Sequence, residues 1–295
     1  MKNVKAKTNE QIAMQVSANS IAVNLMLSIF KLIAGLLASS GAMISDAIHS
    51  ASDVFSTIIV IIGVKISGKA SDEDHPYGHD RFECVASIIL AILLGVTGVG
   101  IGLTGVQKLT AGHYDTLAVP GVLALAAAVI SIVVKEIMYW YTRNAAKKIN
   151  SGALMADAWH HRSDALSSVG SFVGILGARM GFPMLDPLAS VVICLFVVKA
   201  AVDIFRDAIS KMTDRSCDQK TVNEMHDCIM NIRGVEGIDL LKTRSFGSKY
   251  YVDIEISADG NKKLWETHAI AENVHQAIEH QFPLVKHCMV HVNPA

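Results

Sequence analysis

The stretch CVASIILAILLGVTGVGIGLTGVQ, from Cys84 to Gln107, carries no charged side chain. A helix that crosses a bilayer needs roughly 20 mostly apolar residues, so this segment reads as a membrane span. Working outward, Gln11 to Phe30 and Leu117 to Val134 are likewise uncharged. Together these stretches predict spans over about 12–36, 83–107 and 117–140. Three further segments, about 41–65, 153–178 and 184–207, are apolar but interrupted by ionisable residues. They are the only stretches able to connect the first three across a membrane, which makes six helices.

Composition agrees with that reading. The 295-residue chain is 51% hydrophobic and 18% charged, below the roughly 25% charge of a soluble domain. A net charge of −1 offers no basic patch for nucleic acid. Cys84, Cys194, Cys217, Cys228 and Cys288 are scattered without a CxxC, which fits neither a disulfide framework nor a thiolate zinc finger. The first ten residues are polar, and no cleavable signal peptide is expected. Polarity divides the chain into a tail over 1–10, a six-helix membrane domain over 11–211 and a soluble domain over 212–295.

Six spans place both termini on one side. Lys2, Lys5, Lys7, Lys65, Lys69 and Arg81, with Lys135, Arg143, Lys147 and Lys148 clustered around the loop between spans four and five, count on that side; Lys108 and Arg179 fall on the other. Positive charge accumulates on the cytoplasmic face, so both termini and the soluble domain are expected in the cytoplasm, with the spans in a cell (inner) membrane.

An ionisable side chain at bilayer depth is costly unless it faces the bundle interior with a partner. Spans two and five nevertheless contain Asp46, His49, Asp53 and Asp157, His160, His161, Asp164. His49 and Asp53 are four apart, as are His160 and Asp164, so each pair shares a helical face. If the two faces met, two imidazoles and two carboxylates would surround one point, the donor set and number that zinc takes in tetrahedral geometry. Asp157 and His161 have the same spacing on a different face, and spacing alone does not choose between the pairs.

The segments SDAIHSASD (Ser45–Asp53) and DAWHHRSD (Asp157–Asp164) resemble the paired motifs of the cation diffusion facilitator family, and the resemblance covers almost the whole chain. It implies an α-helical membrane protein followed by a small α/β cytoplasmic domain, a homodimer, and proton-coupled efflux of divalent cations through His49, Asp53, His160 and Asp164. Asp46 and His161 would be neighbours of that site. The loop DEDHPYGHDR after span two resembles the family's secondary site, which implies Asp72, His75 and His79 as ligands. In the cytoplasmic domain the matching positions are Asp239, Asp253, His268 and His291. Relatives with a well-formed two-metal site tend to carry histidines where this chain has Asp239 and Asp253, and Asn293, a poor ligand, stands in place of a carboxylate.

From the residues themselves, the soluble domain reads as a helix over about 218–231, strands over 236–246 and 249–258, a helix over 263–280 and a strand over 286–293, an αββαβ, ferredoxin-like order. Tyr250 to Ile256 alternates as a half-buried strand should. Phe246-Gly247-Ser248 is the expected turn.

Two carboxylates and two neutral imidazoles carry a charge of −2 that one divalent cation or two protons would neutralise, and metal binding requires deprotonated ligands. This predicts an antiporter, a secondary transporter and not an enzyme. No GxxxxGK[ST] loop is present for ATP; the glycines from Gly95 to Gly105 suit close helix packing. An HExxH helix, as a metalloprotease would need, is also absent. A membrane-anchored metal sensor would not need ligands inside the bilayer, and a passive channel would be slowed by a tight site. Imidazole favours Zn2+, and oxygen-rich sites favour Mn2+. Zn2+ is therefore the expected substrate, with Fe2+ or Mn2+ as the alternative and no organic cofactor.

Overall fold

The computed structural model describes residues 8–37, 41–111, 122–179 and 185–295. Its first compact unit, Met1–Ala208, holds the long helices; the second is Ile209–Ala295, a boundary three residues before the expected one and inside the last turn of the sixth helix. The helices are α1 (Asn9–Leu37), α2 (Gly41–Ser67), α3 (Phe82–Ala111), α4 (Val122–Ile149), α5 (Gly152–Arg179) and α6 (Leu185–Met212). All six fall where the apolar stretches predict them.

The first unit wears its polarity inside out. On α1, Ser17, Ser20, Asn24 and Lys31 recur on one face and are buried, Asn24 completely, whereas Met26 and Ile33 are 62% and 53% exposed. On α4, Ser131, Lys135 and Thr142 are buried while Val133 and Ile137 lie outside. A water-soluble bundle buries the opposite face. Apolar flanks around a polar centre suit a bundle solvated by lipid, where polar side chains turn to the bundle interior.

Small residues let the helices approach. A Cβ added at Gly98 of α3 would lie 2.8 Å from Val197 Cγ1 of α6, and one at Gly102 would fall against Cys194. Gly63 of α2 likewise abuts Ala86 of α3. The glycine run in span three therefore does the packing work expected of it. α5 contacts α4, α3 and α2, and α2 contacts α1, α3 and α5, so buried polar residues of these helices can meet.

The second unit contains α7 (Gln219–Met230), β1 (Gly237–Phe246), β2 (Lys249–Ala258), α8 (Leu264–Gln281) and β3 (Val285–Pro294), the expected αββαβ order. Asp218 caps α7, its carboxylate accepting from Thr221 N at 3.0 Å and from the Thr221 hydroxyl at 2.7 Å. β1 pairs with β2 antiparallel and β2 with β3 parallel, in the order β1-β2-β3. The hairpin turns at Gly247, whose φ of 64° is the left-handed value that a two-residue turn needs and glycine supplies. Val252, Ile254 and Ile256 alternate into a core shared with Met225, Ile229, Val274 and Ile278 of the two helices.

Candidate metal centre

Asp53 on α2 and His160 and Asp164 on α5 converge inside the first unit, their ligand atoms all within 4.8 Å of one another. His160 Nε2 stands 3.5 Å from Asp53 Oδ1 and 4.0 Å from Asp164 Oδ2. Both carboxylates are buried. His49 and Asp46 lie on α2, but their side chains fall outside the described residues.

The two faces of α5 with four-residue His/Asp spacing part company here. His160 and Asp164 turn to Asp53. Asp157 and His161 form a separate, fully buried pair, 3.6 Å apart, in which Asp157 Oδ1 accepts from the Thr57 hydroxyl at 3.2 Å. Neighbouring positions on one helix thus serve different contacts.

Lys135 corrects the sequence reading. The charge pattern counts it with the cytoplasmic charges around the loop between spans four and five, but α4 continues to Ile149, so Lys135 sits mid-helix, roughly 20 Å from either end at about 1.5 Å per residue. It is buried, and its ammonium donates to Asp53 Oδ2 and, at 2.9 Å, to Asp164 Oδ2. A second buried lysine, Lys31 of α1, donates to Ser50 Oγ of α2 at 2.8 Å.

The loop after α2 gathers Asp72, His75 and His79 into a second cluster with all ligand atoms within 4.8 Å. Asp72 Oδ1 accepts from the His75 backbone N–H at 2.7 Å, which with the two imidazoles holds its carboxyl below the usual carboxylate range. His79 Nδ1 lies 3.2 Å from the Ala70 carbonyl, a contact it makes as a donor. Its Nε2 lies 3.3 Å from Asp72 Oδ2.

The four positions named in the cytoplasmic domain do not converge in the same way. Asp239 is the extra residue of a β-bulge between Ile238 and Leu240, and its Oδ2 accepts from Asn293 Nδ2 at 2.9 Å. His268 and His291 line one recess of about 480 Å³ with Asn293. Asp253 stands mid-strand between Lys242 and Met289, outside that recess. The bond to Asn293 ties Asp239 to a residue that lines the recess with the two imidazoles.

Comparison with known proteins supplies the class. Residues 17–213 match the cation efflux transmembrane domain and residues 217–295 the cytoplasmic domain of cation efflux proteins. An uncharacterized transporter of Methanocaldococcus jannaschii is 38% identical over 93% of this chain and 95% of its own length. Metal tolerance protein C1 of Arabidopsis thaliana is 33% identical over 91% of this chain and 60% of its own. The manganese efflux system protein MneP of Bacillus subtilis is 32% identical over 98% of both.

The fold and these matches define a multi-pass membrane transporter of divalent metal cations with a small cytoplasmic domain. The chain belongs to the cation diffusion facilitator family.

Proposed function

We propose that this protein exports Zn2+ from the cytoplasm in exchange for protons, through a site made by Asp53, His160 and Asp164 with His49 as fourth ligand. The observation that carries the reading is the convergence of two buried carboxylates and an imidazole within 4.8 Å, from two helices of a bundle whose outer face is apolar. Zinc takes imidazole nitrogen and carboxylate oxygen together in tetrahedral sites. Protons compete with metal for those same lone pairs, so an inward proton gradient can drive metal outward as the helices alternate in access. Asp72, His75 and His79 form a secondary metal site at the membrane domain's cytoplasmic loop. The protein works as a homodimer joined through its cytoplasmic domain, with both termini in the cytoplasm.

A second reading, Mn2+ as the principal substrate, is favoured by the likeness to a manganese efflux protein over the full length of both chains. Metal uptake into inverted membrane vesicles decides between them. Zn2+ uptake is expected to exceed Mn2+ uptake, to rise with an imposed proton gradient, and to vanish in Asp53→Ala and Asp164→Ala. Uptake indifferent to the gradient refutes antiport, and retention of uptake in both variants refutes the site.

A further inference from the structure

We propose that Lys135 is a tethered competitor of the transported metal: its ammonium holds the two carboxylates of the site while no metal is bound and must leave them when metal enters. The inference rests on the reading of Asp53 and Asp164 as metal ligands. It starts from one geometric fact: Asp53 Oδ2 and Asp164 Oδ2, on different helices, both accept from the same Nζ. A metal ion bonds carboxylate oxygen at roughly 2.0–2.2 Å. An ammonium at hydrogen-bond distance from those oxygens would then face a divalent cation across a gap of a few ångströms, in a medium that screens charge poorly.

Burial makes the competition strong. Lys135 is 2% exposed and Asp53 3%, so neither charge has water as an alternative partner. A buried carboxylate pair without a cation is strongly disfavoured. Lys135 reduces that penalty in the empty transporter, since one positive charge offsets half of the two negative ones. The same contact weakens metal binding, because part of the metal's gain is spent in breaking two charge-assisted hydrogen bonds. An exporter has to release its cargo on the far side. A captive cation that returns to the carboxylates as metal departs lowers the barrier to release, and its long, flexible stem permits the excursion.

The rival reading of the same contact is that Lys135 only orients the carboxylates and stays in place while metal binds through the Oδ1 atoms. The two readings predict opposite signs. Zn2+ binding to the purified full-length protein, by equilibrium dialysis, is compared for wild type, Asp53→Ala, Lys135→Met and Lys135→Gln; the Asp53→Ala curve subtracts metal held elsewhere in the chain. If Lys135 competes, both neutral variants bind Zn2+ about tenfold more tightly or better, the return from removing a buried competing charge, while turnover in proteoliposomes falls because release slows. Unchanged or weaker binding in variants that elute as the wild type does overturns the proposal. Lys135→Gln, polar and of similar reach, carries the test if Lys135→Met does not fold. Should Asp53→Ala bind as wild type does, the site itself is misassigned. Loss in Asp53→Ala without gain in the Lys135 variants refutes competition alone.

Discussion

His160 Nε2 on α5 lies 3.5 Å from Asp53 Oδ1 on α2, and this contact between helices closes the buried donor set. On the proposed reading His160 and His49 supply the nitrogens that distinguish the site from an all-oxygen one, so His160 is a position at which metal choice is exposed to substitution. In His160→Asp the ratio of Mn2+ to Zn2+ uptake in inverted vesicles should rise at least several-fold over wild type. An unchanged ratio would show that selectivity is set elsewhere.

Asp157 and His161 should behave as structure rather than as transport machinery. Asp157 is fully buried and its Oδ1 is engaged by Thr57. Asp157→Ala leaves the Thr57 hydroxyl and His161 without their partner, a loss of about 1–3 kcal/mol. The melting temperature in detergent should drop, whereas Zn2+ affinity of the folded fraction changes by less than about tenfold, because Asp157 hydrogen-bonds Thr57 and not the metal-site side chains. A tenfold loss of affinity would move Asp157 into the metal site.

Gly98 tests the packing of α3 on α6. With a Cβ at that position only 2.8 Å from Val197, Gly98→Leu must push the helices apart or force off-rotamer side chains, costing about 1–3 kcal/mol. Thermal unfolding should show it, and Val197→Ala should restore part of the loss by opening space at the contact.

Asp218 gives a pH signature in the cytoplasmic domain. The Thr221 backbone N–H and hydroxyl hold its carboxyl below the usual carboxylate range. A depressed value in the folded state stabilises at neutral pH, and the gain is lost as pH falls through the acidic range where the carboxylate takes up a proton. Asp218→Ala should therefore cost about 1 kcal/mol near pH 7, the usual worth of such a cap, with the gap from wild type closing toward pH 3. A gap independent of pH in denaturation curves would mean the carboxylate's charge is irrelevant.

Much of this protein is legible in its residues. Uncharged runs such as Cys84 to Gln107 must become helices in lipid because no other local structure satisfies their backbone there. The alternation of Tyr250 to Ile256 places three aliphatic side chains on one sheet face, and Gly247 permits the turn before it. The four-residue spacings in α2 and α5 likewise put each His and Asp on a shared face through helical periodicity alone.

Tertiary structure decided the rest, for one physical reason. Periodicity states which residues lie together on a helix but not which neighbour that face meets. Only the packing of α5 against α2 and α4 sends His160 and Asp164 toward Asp53 and turns Asp157 toward Thr57, with His161 beside it. Only the packing of α4 carries Lys135 inward, from a charge counted with the cytoplasmic face to the ammonium shared by two acids. In the cytoplasmic domain, only the fold shows that Asp239 bonds Asn293 beside the recess lined by His268 and His291, while Asp253 stands mid-strand outside it.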